Sequence, residues 1–131
     1  MSKKRILFAD DEGAVRSYVR TALTNAGFDV SVASDGEEAL RLIKDCSGDI
    51  DLLVTDIRMP KMDGICLADA VEALYPQIPV LFISGYPFDL EMEQLKHPAK
   101  SCGFLKKPFL PQPLFEAVRK CLAVPSQAAT A

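Results

Sequence analysis

The sequence is short of the features that would mark an unusual chain. No apolar run approaches the 18 or more residues of a membrane span, and Met1-Ser2-Lys3-Lys4-Arg5 leads into an apolar stretch too short for a signal peptide. A cytoplasmic location with no membrane association is therefore expected. The four cysteines, Cys46, Cys66, Cys102 and Cys121, form no C-x-x-C pair and read as reduced structural thiols rather than as metal ligands or disulfides. The single histidine, His97, stands before Pro98 in a polar stretch and reads as an exposed loop residue. No Gly/Ser linker and no internal repeat divides the chain. The formal charge of −3 argues against a general nucleic-acid surface, although Lys3-Lys4-Arg5 gives a locally basic start ahead of the first apolar run.

What is present is the composition of one globular domain, 49% hydrophobic and 25% charged over 131 residues. Residues 1–124 are expected to form it, with 125–131 as a flexible tail. Short apolar runs alternate five times with segments of helical period, the pattern of a parallel sheet covered by helices on both faces, hence an α/β fold. The expected strands are Ile6 to Ala9, Val30 to Ala33, Leu52 to Thr55, Val80 to Ile83 and Gly103 to Leu105. The spacing of Val15, Tyr18, Val19, Ala22, Leu23 and Ala26 predicts a first helix ended by Gly27. Further helices are expected over Glu37 to Asp45, over Asp63 to Tyr75 ahead of Pro76, near Phe88 to Lys96, and from Pro113 to about Leu122. Phe8 and Phe82 read as core, while Phe88, Phe109 and Phe115 suit either core or partner surface.

Open parallel sheets bind ligands beyond the carboxyl ends of their strands, where strand order reverses. At those ends stand Asp10-Asp11-Glu12, Asp56, Ser84 and Lys106-Lys107-Pro108. Adjacent aspartates after a strand often serve only as turn or N-cap residues. If the order is 2-1-3-4-5, however, Asp10, Asp11 and Asp56 converge, and three carboxylates held together raise one another's pKa unless a counter-ion joins them. A hard divalent cation, Mg²⁺, answers that need and keeps coordination positions for a phosphate. An aspartate becomes a competent nucleophile toward phosphorus when the incoming charge is neutralised and held in line. Lys107 and the Ser84 hydroxyl are of the right types to meet the phosphoryl oxygens, whereas Lys106 reads as a solvated neighbour.

With these residues in place, the sequence resembles the receiver domains of two-component response regulators from about Arg5 to Leu122. The resemblance rests on Asp10-Asp11, on Thr55-Asp56-Ile57-Arg58-Met59-Pro60 followed by Met62-Asp63-Gly64, on Ser84-Gly85-Tyr86, and on Lys107-Pro108-Phe109. It implies a flavodoxin-like doubly wound (βα)5 fold with strand order 2-1-3-4-5. It also implies a phosphorelay module in which Asp56 accepts a phosphoryl group from a phosphohistidine on a histidine kinase or histidine phosphotransfer protein and later loses it by hydrolysis. Asp11, Asp56 and the backbone carbonyl of Arg58 would ligate Mg²⁺, with Asp10 acting through water. Ser84 and Phe104 would form the switch pair that reports to a downstream protein on the face built by the fourth helix, fifth strand and fifth helix. No direct nucleic-acid contact is expected, and the Lys107–Pro108 bond would be cis.

Departures from the family pattern are Ser84, where threonine is commoner, and Phe104, where tyrosine is, so a switching ring would carry no hydroxyl. Arg58 and Tyr86 occupy positions that vary with phosphoryl lifetime in the family. The stretch from Leu81 to Pro87 looks like receivers attached to hybrid kinases, and whether the chain stands alone or belongs to such a kinase is open. Two other readings fare worse. A phosphatase of the haloacid-dehalogenase kind needs an acid two residues after the nucleophile, where Arg58 stands, and a flavodoxin needs a Ser/Thr/Gly-rich phosphate loop where this chain has aspartates. A degenerate receiver that binds partners without phosphorylation would not need all five polar positions filled.

Overall fold

The computed structural model describes residues 3–85 and 101–123. Five parallel strands, β1 (Arg5–Ala9), β2 (Asp29–Ala33), β3 (Leu52–Asp56), β4 (Val80–Ser84) and β5 (Ser101–Lys106), form one sheet in the order β2-β1-β3-β4-β5. The expected order and fold class are both found. Each strand runs a residue or two beyond its apolar run, because pairing continues into polar residues such as Arg5, Asp29 and Lys106.

Alternation along the strands divides the core in two. Leu7, Ala9, Leu53, Val80 and Phe82 pack against α2 (Gly36–Asp45) and α3 (Gly64–Leu74) through Ala39, Ile43, Leu67 and Val71. From the other face, Ile6, Phe8, Leu52, Val54, Leu81 and Ile83 meet α1 (Gly13–Asn25) and the C-terminal helix (Pro111–Ala123) through Val19, Leu23, Leu114 and Val118. Central strands buried on both faces read as unbroken apolar runs, which is why they were visible in the sequence.

Helix ends follow local chemistry. Gly27 (φ 101°) takes the left-handed conformation that closes α1, with Phe28 N–H donating to the Leu23 carbonyl at 3.0 Å. Asp35 caps α2 by accepting from Glu38 N–H at 2.8 Å, while the Glu38 carboxylate accepts from Ser34 N–H at 2.7 Å and Ser34 Oγ at 2.9 Å. These bonds hold the Glu38 pKa below its ordinary value. Asp63 caps α3 through Cys66 N–H at 2.8 Å, so the segment expected to begin at Asp63 and end at Tyr75 has those two residues as its caps.

Three expectations need correction or limits. The C-terminal helix opens at Pro111 rather than Pro113, since both prolines fall in a first turn whose N–H groups have no intrahelical acceptor. Cys102 and Cys121 are not reduced thiols but a disulfide, joined across 19 residues by the packing of the C-terminal helix on β5. The fourth helix expected near Phe88 to Lys96, together with Tyr86, His97 and the tail 125–131, lies outside the described residues. Arg5 of the basic start is taken up by the fold, its guanidinium 2.7 Å from Asp49 and its backbone N–H donating to Asp51 at 2.8 Å. Phe109 and Phe115 are half-buried, Phe109 beside Tyr18 with ring centroids 5.9 Å apart.

Removing the Asp35 side chain leaves the α2 N-terminus without its acceptor. Asp35→Ala is expected to lower the unfolding free energy by about 1 kcal/mol with an unchanged urea slope. A change within a few tenths of a kcal/mol would show that the cap contributes nothing.

Candidate functional site

Parallel strands in this order bring their carboxyl ends to one edge, and the side chains there come from four segments. Asp10 follows β1 and is 0% exposed; Asp56 ends β3 and Ser84 ends β4, both buried; Lys107 follows β5 and is half-buried. Asp11 lies beside Asp10 but faces solvent, as does Arg58 on the loop after Asp56.

Local bonds set these positions. Glu12 N–H donates to Asp10 Oδ1 at 2.9 Å and Arg16 Nη1 donates to the Asp10 carbonyl at 2.8 Å, fixing the turn between β1 and α1. Ile57 N–H donates to Asp56 Oδ1 at 2.8 Å. Gly64 N–H donates to the Ile57 carbonyl at 2.8 Å, and a Cβ on Gly64 would run into the Asp56 carbonyl oxygen, so only glycine lets α3 start so close to the acidic strand end. Lys107 N–H donates to the Ser84 carbonyl at 2.8 Å, and the following bond to Pro108 is cis, as expected.

The Lys107 ammonium is the centre of the arrangement. It stands 3.0 Å from Asp56 Oδ2, 2.9 Å from Asp10 Oδ2 and 3.3 Å from Glu12 Oε1. Burial alone would lower its pKa, but the close contacts and charges of the Asp10 and Asp56 carboxylates outweigh that and hold it well above the ordinary lysine value. For Asp56 the balance falls the other way. Burial pushes its pKa up, the hydrogen bond from Lys107 pulls it down, the charge of Asp10 pushes it up again, and the net direction is upward.

The Lys107 ammonium is thus shared among three carboxylates, with Asp11 beside them. Ligand atoms of Asp10, Asp11 and Asp56 all lie within 4.8 Å of one another. Asp10 Oδ2, despite its ion pair with Lys107, is a fully buried oxygen that receives no hydrogen bond of good geometry. Such a group is costly unless something else satisfies it. Three carboxylates, one of them carrying an under-satisfied buried oxygen, fit a hard, oxygen-seeking divalent cation.

Every polar residue expected at this edge is there, with Asp11 and Arg58 at its solvent side. Glu12 is the addition. The sequence places it at this edge without giving it a role, and only the fold shows that Lys107 comes to it. Phe104 lies on β5 away from the acids, 52% exposed, its ring 5.9 Å from the buried Phe82 ring and nearly parallel to it.

The raised Asp56 pKa sets a pH dependence. A carboxyl group whose pKa is higher folded than unfolded contributes stability in full below the unfolded value, near 3.9 for aspartate, and loses it as pH rises through the folded value. In EDTA, wild type should therefore lose stability relative to Asp56→Asn as pH rises out of the ordinary carboxylate range, and the difference should level off above the raised pKa. Thermal unfolding of both proteins from about pH 3 to 8 checks this, and parallel curves would exclude a strained Asp56 carboxylate.

The geometry has close counterparts. The family model of the response regulator receiver domain matches residues 6–119. The response regulator receiver protein CpdR of Brucella abortus is 32% identical over 119 residues, 91% of this chain and 97% of its own. The sensor kinase CckA of the same organism is 38% identical over 117 residues, 89% of this chain but 12% of the kinase, and the transcriptional regulator NtrC of Rhizobium meliloti is matched over 26% of its length, so this chain spans a minor part of both. Among solved structures, the receiver domain of the hybrid histidine kinase CckA superposes with a TM-score of 0.76 at 39% identity, covering 90% of this chain and 98% of that one. A receiver protein from Sinorhizobium medicae gives 0.81 at 34% identity, covering 92% and 95%. Sequence, fold and strand-end geometry agree: the chain belongs to the response regulator receiver domains, the phosphoacceptor signalling modules of two-component systems.

Proposed function

We propose that Asp56 is the phosphoryl acceptor of this receiver and that its donor is a phosphohistidine on a histidine kinase or histidine phosphotransfer protein. The observation that carries the reading is the Lys107 ammonium, 3.0 Å from Asp56 Oδ2 and 2.9 Å from Asp10 Oδ2 beside two further carboxylates. A structural salt bridge needs one acid per base; a surplus of acid at a buried strand end suits a site that takes up a cation and an anion together.

Asp11, Asp56 and the Arg58 backbone carbonyl would hold Mg²⁺, with Asp10 acting through water. When bound, Mg²⁺ supplies the charge that lets a phosphoryl group approach a carboxylate. A carboxylate oxygen of Asp56 attacks phosphorus, an O–P bond forms, and the P–N bond to the donor imidazole breaks with its electron pair left on nitrogen. Lys107 turns from the Asp56 carboxylate to the phosphoryl oxygens, and the Ser84 hydroxyl donates to another of them. Water later attacks phosphorus and returns Asp56 and inorganic phosphate. This self-phosphorylation and autodephosphorylation belongs to a signalling module rather than to an enzyme with a separate substrate.

The switch would run through Ser84 and Phe104 to the face of β5 and the C-terminal helix, where a downstream protein would bind. Output passes through protein contacts, without direct nucleic-acid or membrane binding, in the cytoplasm. The receiver would span residues 1–124, with 125–131 as a tail.

Incubation with acetyl phosphate and Mg²⁺ should produce an acid-stable, base-labile adduct. Asp56→Asn should abolish it, Asp11→Asn should abolish the Mg²⁺-dependent labelling, and Lys107→Ala should slow its formation by about 100-fold, the scale for losing one charge-stabilising donor. Equal labelling of wild type and Asp56→Asn would overturn the assignment.

A further inference from the structure

We propose that Cys102 and Cys121 form a reversible thiol–disulfide site, operated by low-molecular-weight thiols of the glutathione class, that controls how firmly β5 is held to the C-terminal helix. The coupling of this site to phosphorylation rests on the reading of Asp56 above; the site itself does not.

Placement carries the inference. The bridge joins the second residue of β5 to the last turn of the C-terminal helix. Among the described residues β5 is an edge strand paired only with β4, and its register with β4 shifts between Val80 and Leu81, opposite the segment that contains Cys102. The start of β5 is thus the least regularly held part of the sheet, and the disulfide fastens it there. The same strand carries the exposed Phe104 two residues on and delivers Lys107 to the acid cluster at its other end. A covalent tie at Cys102 therefore acts on the strand that links the candidate acceptor to the candidate output surface. Cys46 and Cys66, which are free, lie on or beside α2 and α3 on the opposite face of the sheet.

The two residues differ in access, since Cys121 is 1% exposed whereas Cys102 is half-buried. A thiolate RS⁻ attacks Cys102 Sγ, the S–S bond breaks, and the electron pair leaves on Cys121 Sγ, which takes a proton. A second RS⁻ attacks the R sulfur of the mixed disulfide, releasing Cys102 as thiolate and giving RSSR. The protein disulfide gains two electrons, and two RSH become one RSSR. Chains in thiol-rich compartments that carry disulfides tend to use them in redox sensing.

A strand pinned at Cys102 resists the shift of Phe104, so the bridged form is the less readily switched. Coupling is reciprocal: whatever phosphorylation gains from an open bridge, opening of the bridge gains from phosphorylation.

The full-length chain, equilibrated with oxidised glutathione and alkylated with a maleimide in denaturant, should show two reactive thiols, and four when equilibrated with excess reduced glutathione. Reduction should lower the thermal midpoint of wild type by about 10 °C and leave Cys102→Ser and Cys121→Ser unmoved. Four reactive thiols under oxidising conditions would overturn the site. Graded glutathione mixtures with Mg²⁺ and beryllium trifluoride, a lasting stand-in for the acyl phosphate, should show half-reduction at a mixture at least about fivefold more oxidising than without it. An unshifted mixture, in protein that acetyl phosphate does label on Asp56, would overturn the coupling. Absence of that labelling, with the two-to-four thiol count intact, would overturn the acceptor reading and the coupling with it while the bridge stands.

Discussion

The ion pairs of Lys107 hold this molecule's functional edge together. Three carboxylates from two segments, Asp10, Glu12 and Asp56, reach one ammonium, and without it Asp10 and Asp56 would bring two buried negative charges together with only backbone N–H groups bonded to their carboxylates. Burial makes such a cluster expensive, because desolvation is repaid only where charges are paired and hydrogen-bonded. The repayment here is incomplete: Asp10 Oδ2 lacks a well-formed hydrogen bond and Asp56 has a raised pKa. The fold tolerates that deficit because the sheet beneath is buried on both faces and supplies stability elsewhere. A site of this kind is strained toward whatever adds positive charge.

How legible this was in the sequence depended on the kind of constraint involved. β1, β3 and β4 could be read because strands covered on both faces are apolar throughout, and the residue that breaks each run is the one at the carboxyl edge: Asp10, Asp56, Ser84. That Asp10 and Asp56 are neighbours followed only from the strand order, which the resemblance supplied and the fold bears out. Pro111 was passed over as the helix start because Pro113 suits a first turn equally well. Glu12 was missed because its partner arrives from 95 residues away.

The disulfide was illegible for a similar reason. Cys102 and Cys121 are 19 residues apart with no local spacing signature, and only the packing of the C-terminal helix on the edge strand brings them together. Contacts made by local capping, such as Asp35 with Glu38 or Asp63 with Cys66, leave a trace in neighbouring residues. Contacts made by tertiary packing leave none.

These two long-range contacts bear on opposite ends of one strand. β5 begins at the disulfide and ends at Lys107, with Phe104 between them. Lys107 is also tied back to β4, its N–H donating to the Ser84 carbonyl at 2.8 Å, so the ammonium and the hydroxyl assigned to the phosphoryl group hang from adjoining strand ends. On the proposed function, a change of charge on Asp56 is felt first by Lys107, which directly follows β5. The distance from chemistry to surface is then a few residues of a single edge strand, and no relay through the packed core is required. Phe104, stacked on Phe82 and half in solvent, is the exposed aromatic residue of that strand. Without a hydroxyl its response must be read as a change of apolar surface, which favours a partner that recognises the ring itself over one that hydrogen-bonds to it.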